Sequence, residues 1–289
     1  MKEVKNTEEL INYLISKGVK VNNIDLTTER INNYTYYGIV NTYKYVFKNS
    51  DNSYKDKVSF EEIFALYEFD MNIKSLFLKY ILELELIIKS RIANLLTEKY
   101  GIKDYLIIDN FERSRSNDPY ITDVLESIEK EINISYSKHE AIAHYKNKYN
   151  YIPPFVLVKA LSFGMISRLY GLMKQTDQQH ISKEFDIPSN ILKVILKNLT
   201  FIRNVCAHSD RLYCYHSINT ISTAFLKNNY TLPNNTNNLY IIILAMEKML
   251  KEDKYKAFKK QFDLEIDKLS KELKSITIKD ILNIIGIND

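Results

Sequence analysis

Glycine and proline are scarce in this 289-residue chain, six and five in number. Few tight turns can therefore be made, which disfavours a many-stranded sheet and favours long helices. Cysteine is scarcer still: Cys206 and Cys214 are the only two. They form no CxxC pair and no His/Cys ligand cluster, so a reduced compartment without a structural zinc site is the simpler expectation. No apolar run is long enough to span a bilayer; the best, Leu239 to Met246, covers about two helical turns. The first residues mix charged and apolar side chains and hold no signal-peptide core, so no membrane association and a cytoplasmic location are expected.

What is present fits an ordinary soluble globular chain, with 45% hydrophobic and 26% charged residues. The net charge of +4 is compatible with a polyanionic partner but mild. The joint richness in Lys, Asn, Ile and Tyr is what an A- and T-biased genome gives by itself. The 22 tyrosines could stack on bases, although in helical proteins most such rings simply pack.

Helical signals run the length of the chain. Asn6 with Glu9 is a capping-box pattern opening a helix that ends at Gly18. A second helix is expected from about Thr28 to Gly38, followed over residues 39–57 by the one stretch whose Tyr/Val/Phe content allows a short hairpin, around Asn49 to Asn52. Ser59 with Glu62 forms another capping box. Apolar residues then recur at helical spacing to Ile92, predicting one helix, or a pair broken near Asp70, that stops before Gly101. A polar connection at 105–120 precedes helices at 120–134 and 137–149. Pro153-Pro154 suits the first turn of a helix running to about Lys174. Further helices are expected at 178–185, 189–206, 239–251, 254–273 and 278–285, with a polar Asn-rich loop over 228–238. There is no internal repeat and no long linker, so residues 1–289 read as a single all-α domain.

The chemistry-bearing segment is Arg203-Asn204-Val205-Cys206-Ala207-His208. Five residues correspond to about 140° of helical rotation, so Arg203 and His208 do not share a face by spacing alone. Asn204 and His208, at i and i+4, do. A long arginine from the neighbouring column can curl toward the same pocket, giving an Arg/Asn/His cluster near a helix end. The bare R-x4-H pattern is unspecific: it occurs again at Arg211 and His216. By itself it also fits a structural Arg and His at a helix end.

More of the chain bears on it. RNVCAHSDRL at 203–212, INNYTYYG at 31–38, SFEEIFALYEFD at 59–70, LELELIIKSRIA at 82–93 and PPFVLVKALSFGMISRLY at 153–170 resemble, in order, the blocks of the Abi-like (AbiD/AbiF) abortive-infection family, a branch of the HEPN superfamily. The resemblance covers roughly residues 30–215. The chain departs from the family pattern at Ser209, where a second His is usual, and at Tyr213 and Cys214, where Trp and Asn are usual. Phe155 replaces a usual Trp, and Lys159 stands where an acidic residue is common.

The resemblance implies a HEPN-like helical bundle with additional N- and C-terminal helices. It also implies an endoribonuclease of antiphage defence that works without metal or cofactor. The RNA 2′-hydroxyl would attack the adjacent phosphorus, leaving a 2′,3′-cyclic phosphate and a 5′-hydroxyl. An imidazole can take or give a proton near neutral pH, which suits His208 as general base or acid. Arg203 offers a fixed-charge fork to the phosphorane oxygens, and Asn204 could orient the imidazole or donate to a phosphate oxygen. Dependence on the 2′-hydroxyl makes DNA a non-substrate. One motif supplies one histidine while acid and base work needs two, so a C2 homodimer joined near the 189–212 region is implied. A small structured noncoding RNA is a further implied partner, as an antitoxin. Arg211, Glu85, Arg91 and Arg168 are candidate supporting or RNA-contacting residues, although Glu83 and Glu85 beside Lys89 and Arg91 also read as a salt-bridged helix face. The run from Lys254 to Lys260 reads as a solvated helix face or a phosphate-tracking strip. The rival reading is a catalytically inactive HEPN module that binds RNA or a protein partner.

Overall fold

The structure is a computed structural model that describes residues 5–208, 210–217, 219–226 and 236–287. The first helix, α1 (Thr7–Ser16), carries the expected capping box: Asn6 Oδ1 accepts from the Glu9 amide, and the Glu9 carboxylate accepts from the Asn6 amide. The second, α2 (Ile24–Tyr34), starts upstream of the expected Thr28 because the Asn23 side chain accepts from the Leu26 amide and caps it there. It also ends early. Thr35 takes φ +62°, and the chain continues through a π-type turn at Tyr37–Asn41 and a 3₁₀ turn at Lys44–Phe47. The hairpin expected over 39–57 is reduced to one antiparallel bridge, Lys48 to Tyr54, so no strand forms there.

The axis of the fold is α3 (Phe60–Tyr100), 41 residues and about 60 Å long. Ser59 and Glu62 form its capping box, and Gly101, at φ +83°, terminates it. No break occurs at Asp70, because that carboxylate is buried and used in tertiary hydrogen bonds rather than turned to solvent as a helix-ending residue would be. Residues 62–66 are all buried, so the N-terminal part of α3 is surrounded. Further along, Met71, Ser75, Leu82 and Leu86 leave an exposed stripe.

After a connection containing a 3₁₀ turn at Ile108–Asn110 come α4 (Asp118–Ser135) and α5 (Glu140–Tyr149). The helix expected from Pro154 to Lys174 is two helices, α6 (Pro154–Ala160) and α7 (Phe163–Leu172). Leu161 is extended, and Ser162 starts a new helix by accepting from the Met165 amide. The next helices are α8 (Gln175–Lys183) and α9 (Ser189–Ala207). A Cβ on Gly164 would touch Thr200, and one on Gly171 would crowd Lys193, whose ammonium donates to the Gly171 carbonyl. The break at Leu161–Ser162 thus lays α7 antiparallel along α9.

The chain closes with α10 (Leu239–Met249), α11 (Glu252–Glu272) and α12 (Ile278–Ile285). Most of the polar loop expected over 228–238 lies outside the described residues. The described residues hold twelve α-helices and no strand, an all-α protein. One hydrophobic cluster runs through them from Ile11 to Ile285, with α3 packed against α6, α9 and α11. None of the described helices is long and apolar enough to cross a membrane.

One backbone position is restrictive. Gly286 ends α12 at φ +96°, and a Cβ there would overlap the buried Asn238 side chain that caps α10. Gly286→Ala is expected to cost about 1–3 kcal/mol, read as a lower urea midpoint at unchanged m-value. An unchanged midpoint would show that the two helix ends are not coupled through this contact.

Candidate active site

The three motif residues sit together on the last turn of α9 and its cap. His208 is the C-cap, with an extended backbone (φ −117°, ψ 178°), and its amide donates to the Asn204 carbonyl at 3.0 Å and the Val205 carbonyl at 3.3 Å. The helix therefore stops at the histidine, and the imidazole projects from a helix end. Asn204 and His208 are exposed and Arg203 is half-buried. Arg203 Nη1 donates to Asn204 Oδ1 across a long 3.5 Å, while its Nε is buried with no hydrogen-bond partner. Among the described residues the His208 imidazole has no hydrogen bond or ion pair. The Arg203 guanidinium is thus held only loosely by the side chains around it.

The segment that follows His208 is fastened on three sides. Asp70 of α3, 0% exposed, accepts from the Tyr213 amide at 2.7 Å, the Leu212 amide at 3.0 Å and the Tyr43 hydroxyl at 2.7 Å. Lys74, one turn along α3, lies 3.7 Å from Asp70 and donates to the Asp210 carbonyl at 3.1 Å. Arg211 donates to the Thr42 carbonyl at 2.9 Å, and its guanidinium lies 5.7 Å from the Tyr45 ring centroid. Tyr215 donates to Asn198 Oδ1 of α9 at 2.5 Å. The chain from Asp210 to Tyr215 is thereby fixed against α3 and α9.

Burial pushes the Asp70 carboxyl above the usual aspartate range, with the Tyr43 hydrogen bond, Lys74 and the two amides pulling it back. Burial also raises the Tyr43 hydroxyl, with Asp70 adding to the effect. Cys206, inside the motif, is pushed by burial up to about 12. Its thiol stays protonated at neutral pH, so it does not serve as a thiolate nucleophile.

The other sequence candidates lie elsewhere. Arg91 pairs with Glu184 at 2.7 Å, just beyond α8 and before α9 begins. The 19 residues of α9 put that end about 28 Å from His208. Arg168 of α7 faces α4, pairing with Asp123 at 2.6 Å and donating to the Tyr120 hydroxyl. Glu85 Oε1 pairs with Lys89 at 2.7 Å, the salt-bridged face read from the sequence; its Oε2 is buried without a partner. Glu85 is 11 positions beyond Lys74 on α3, about 16 Å along the helix. Lys254, Lys256 and Lys259 each pair with a carboxylate, which is the behaviour of a solvated helix face. Ser209 lies outside the described residues. Tyr213 is buried and stacks on Tyr43 at 6.0 Å, so that departure from the family pattern is part of the core.

Sequence reasoning named the Asp70 block without assigning Asp70, Lys74 or Tyr43 a role. A signal was available: Asp70 and Lys74 sit at i and i+4 among residues of the apolar stripe, where an isolated charge is costly unless paired.

Comparison with known families bears on this arrangement directly. The family model described as Abi-like protein matches residues 29–214, which takes in Tyr43, Asp70, Lys74 and the whole Arg203–His208 turn. The chain belongs to the Abi-like protein family. No curated protein and no solved structure gives a match. Membership associates this Abi-like chain with abortive-infection defence. The match begins in α2 and ends just after the segment fastened by Asp70, so α1 and the three C-terminal helices lie outside it.

Proposed function

We propose that this Abi-like protein is a metal-independent endoribonuclease of bacterial antiphage defence, acting in the cytoplasm as a homodimer. The observation that carries the reading is the gathering of Arg203, Asn204 and His208 at an exposed helix end, followed by a segment anchored to the buried Asp70. A neutral imidazole takes the 2′-hydroxyl proton, the 2′-oxygen attacks phosphorus, and the 5′-oxygen leaves with a proton from an imidazolium. The products are a 2′,3′-cyclic phosphate and a 5′-hydroxyl. Arg203 meets the charge that builds on the phosphorane oxygens.

Two histidines in different protonation states are needed, and each chain brings one to the site. The outer face of α9 supports a shared site. Lys197, Phe201, Asn204 and His208 are all exposed, and their 4-3-4 spacing forms one seam, with Phe201 45% exposed. Such spacing suits helix pairing across a two-fold axis. A structured noncoding RNA that occupies the same basic seam would restrain the enzyme as an antitoxin.

Purified protein incubated with RNA in EDTA is expected to release fragments ending in 2′,3′-cyclic phosphate. A single 2′-deoxy substitution at a cleaved position should block that cut. Phe201→Glu should give a monomer by light scattering and lower cleavage roughly a hundred-fold or more. A strict Mg²⁺ requirement would overturn the mechanism, and a monomer that cleaves at the wild-type rate would overturn the shared site.

A further inference from the structure

Several aromatic rings of this protein lie at the surface, and one set of them is clustered. His144, Tyr145 and Tyr149 of α5, Tyr151, and Phe155 of α6 form a connected group of ring contacts on the surface. Tyr145 is at its centre, with ring centroids 5.4 Å from Tyr149, 6.4 Å from Tyr151 and 6.1 Å from Phe155. Tyr149 and Phe155 are 44% and 46% exposed, His144 is exposed, and Tyr145 and Tyr151 are half-buried. A contiguous exposed group of this kind marks an interaction surface more often than it marks folding.

The charges around it identify the chemistry of the partner. Lys103 lies 4.6 Å from the Tyr151 ring centroid and Lys148 lies 5.2 Å from that of Tyr149. Tyr151 lines a groove of about 520 Å³ together with Lys103 and Lys146, which also holds Asp104 and Glu129. Phe155 lines a second groove of about 330 Å³ with Lys159, Asn94 and Lys89, the last of which pairs with Glu85. The row Tyr151–Tyr145–Phe155 therefore joins two grooves, each carrying two lysines. Aromatic faces for bases, flanked by ammonium groups for phosphates, are what a single strand of nucleic acid requires; a duplex keeps its base faces stacked within itself.

We propose that the Tyr151–Tyr145–Phe155 row, with Tyr149 beside it, is a stacking platform for single-stranded RNA, separate from the Arg203–His208 turn. The choice of RNA rests on the nuclease reading above. The two sites are linked by one helix and one packing contact. The seven residues of α6 span about 10 Å, and Gly164 just beyond packs on Thr200, one turn before Arg203. A strand stacked on Phe155 and passing Lys159 is thus directed along α6 toward the end of α9.

The test measures anisotropy of a fluorescein-labelled oligouridylate with full-length His208→Ala protein, so that binding is read without cleavage. Adding Tyr149→Ala and Phe155→Ala is expected to weaken binding roughly ten- to a hundred-fold for each ring. Tyr149→Phe with Phe155→Trp should retain it, because stacking needs only the ring. Lys103→Ala with Lys159→Ala should flatten the dependence of log K on log salt by about 1.4. All four side chains reach the surface, and thermal melts check that the variants fold. Unchanged affinity and salt slope would overturn the platform, as would equal competition by duplex RNA or a surface that captures only protein. The two readings fail separately. If an otherwise wild-type protein cleaves and the ring variants leave its KM unchanged, the platform alone is wrong. If the protein binds single strands through these rings but never cleaves, the nuclease reading alone is wrong.

Discussion

His208→Ala is expected to lower RNA cleavage by about two to four orders of magnitude, the usual contribution of a positioned general acid or base, while leaving the fold intact. The histidine holds the end of α9 through its backbone amide, which alanine retains, and its imidazole has no side-chain partner among the described residues. Stability should therefore change by no more than about 0.5 kcal/mol. Arg203→Ala should cost about 2.7–4 kcal/mol of barrier, a hundred- to a thousand-fold in rate. Arg203→Lys should rescue little, since an ammonium lacks the planar fork that meets two phosphate oxygens at once. The measurement is the single-turnover cleavage rate of a defined RNA, with growth arrest on expression as a second readout. Wild-type cleavage and toxicity in both alanine variants would rule out Arg203 and His208 as the seat of the reaction, whereas a wild-type protein that never cleaves would favour an RNA- or protein-binding module.

The largest effect on stability is expected from Asp70→Ala, about 3–5 kcal/mol. Three donors converge on this carboxylate: the amides of Leu212 and Tyr213 and the Tyr43 hydroxyl. Alanine would leave each buried and unsatisfied, and it would leave Lys74, 3% exposed, without its counter-charge. Urea unfolding measures the loss. Hydrogen exchange adds a local readout, because the Leu212 and Tyr213 amides should lose protection first. Cleavage should fall as well, even in conditions where the variant is folded, since the chain leaving His208 would no longer be held. Because burial raises the folded-state carboxyl, the stability that Asp70 adds, measured against an Asp70→Asn variant, is fullest below the ordinary aspartate range. It declines as pH rises through the elevated value. An alanine variant as stable as wild type, with protected amides, would show that the anchor is dispensable.

These two residues differ in how visible they are in the sequence. The Arg203–His208 turn is local: a helix with good formers ends at a histidine, and the ordered family blocks mark it. The Asp70 anchor joins residues 142 and 143 positions apart, and no local rule shows that an aspartate within a helix accepts from a distant loop. The sequence left open one helix or a pair broken near Asp70, and tertiary donors to that buried carboxylate accompany the unbroken helix.

The same division holds across the fold. Capping boxes at Asn6 and Ser59 and the stop at Gly101 were legible because each is closed within a single helical turn. The start of α2 at Asn23 is equally local, since its cap is also closed within one turn, although the apolar pattern pointed to Thr28. The division of α6 from α7 is different. Ser162 can cap a helix, but the continuous apolar pattern from Pro154 hid the break, and packing of α7 along α9 requires it. The sequence by itself determined the all-α class, most helix ends, and the family motif at Arg203–His208, because those depend on near neighbours and on ordered local blocks. Only the tertiary structure decided that α3 runs unbroken, that Asp70 and Lys74 fasten the chain beyond His208, and that five rings with their lysines meet on the surface. Those arrangements arise from pairing buried charges and burying apolar area between segments far apart in the chain, which no short window of sequence contains.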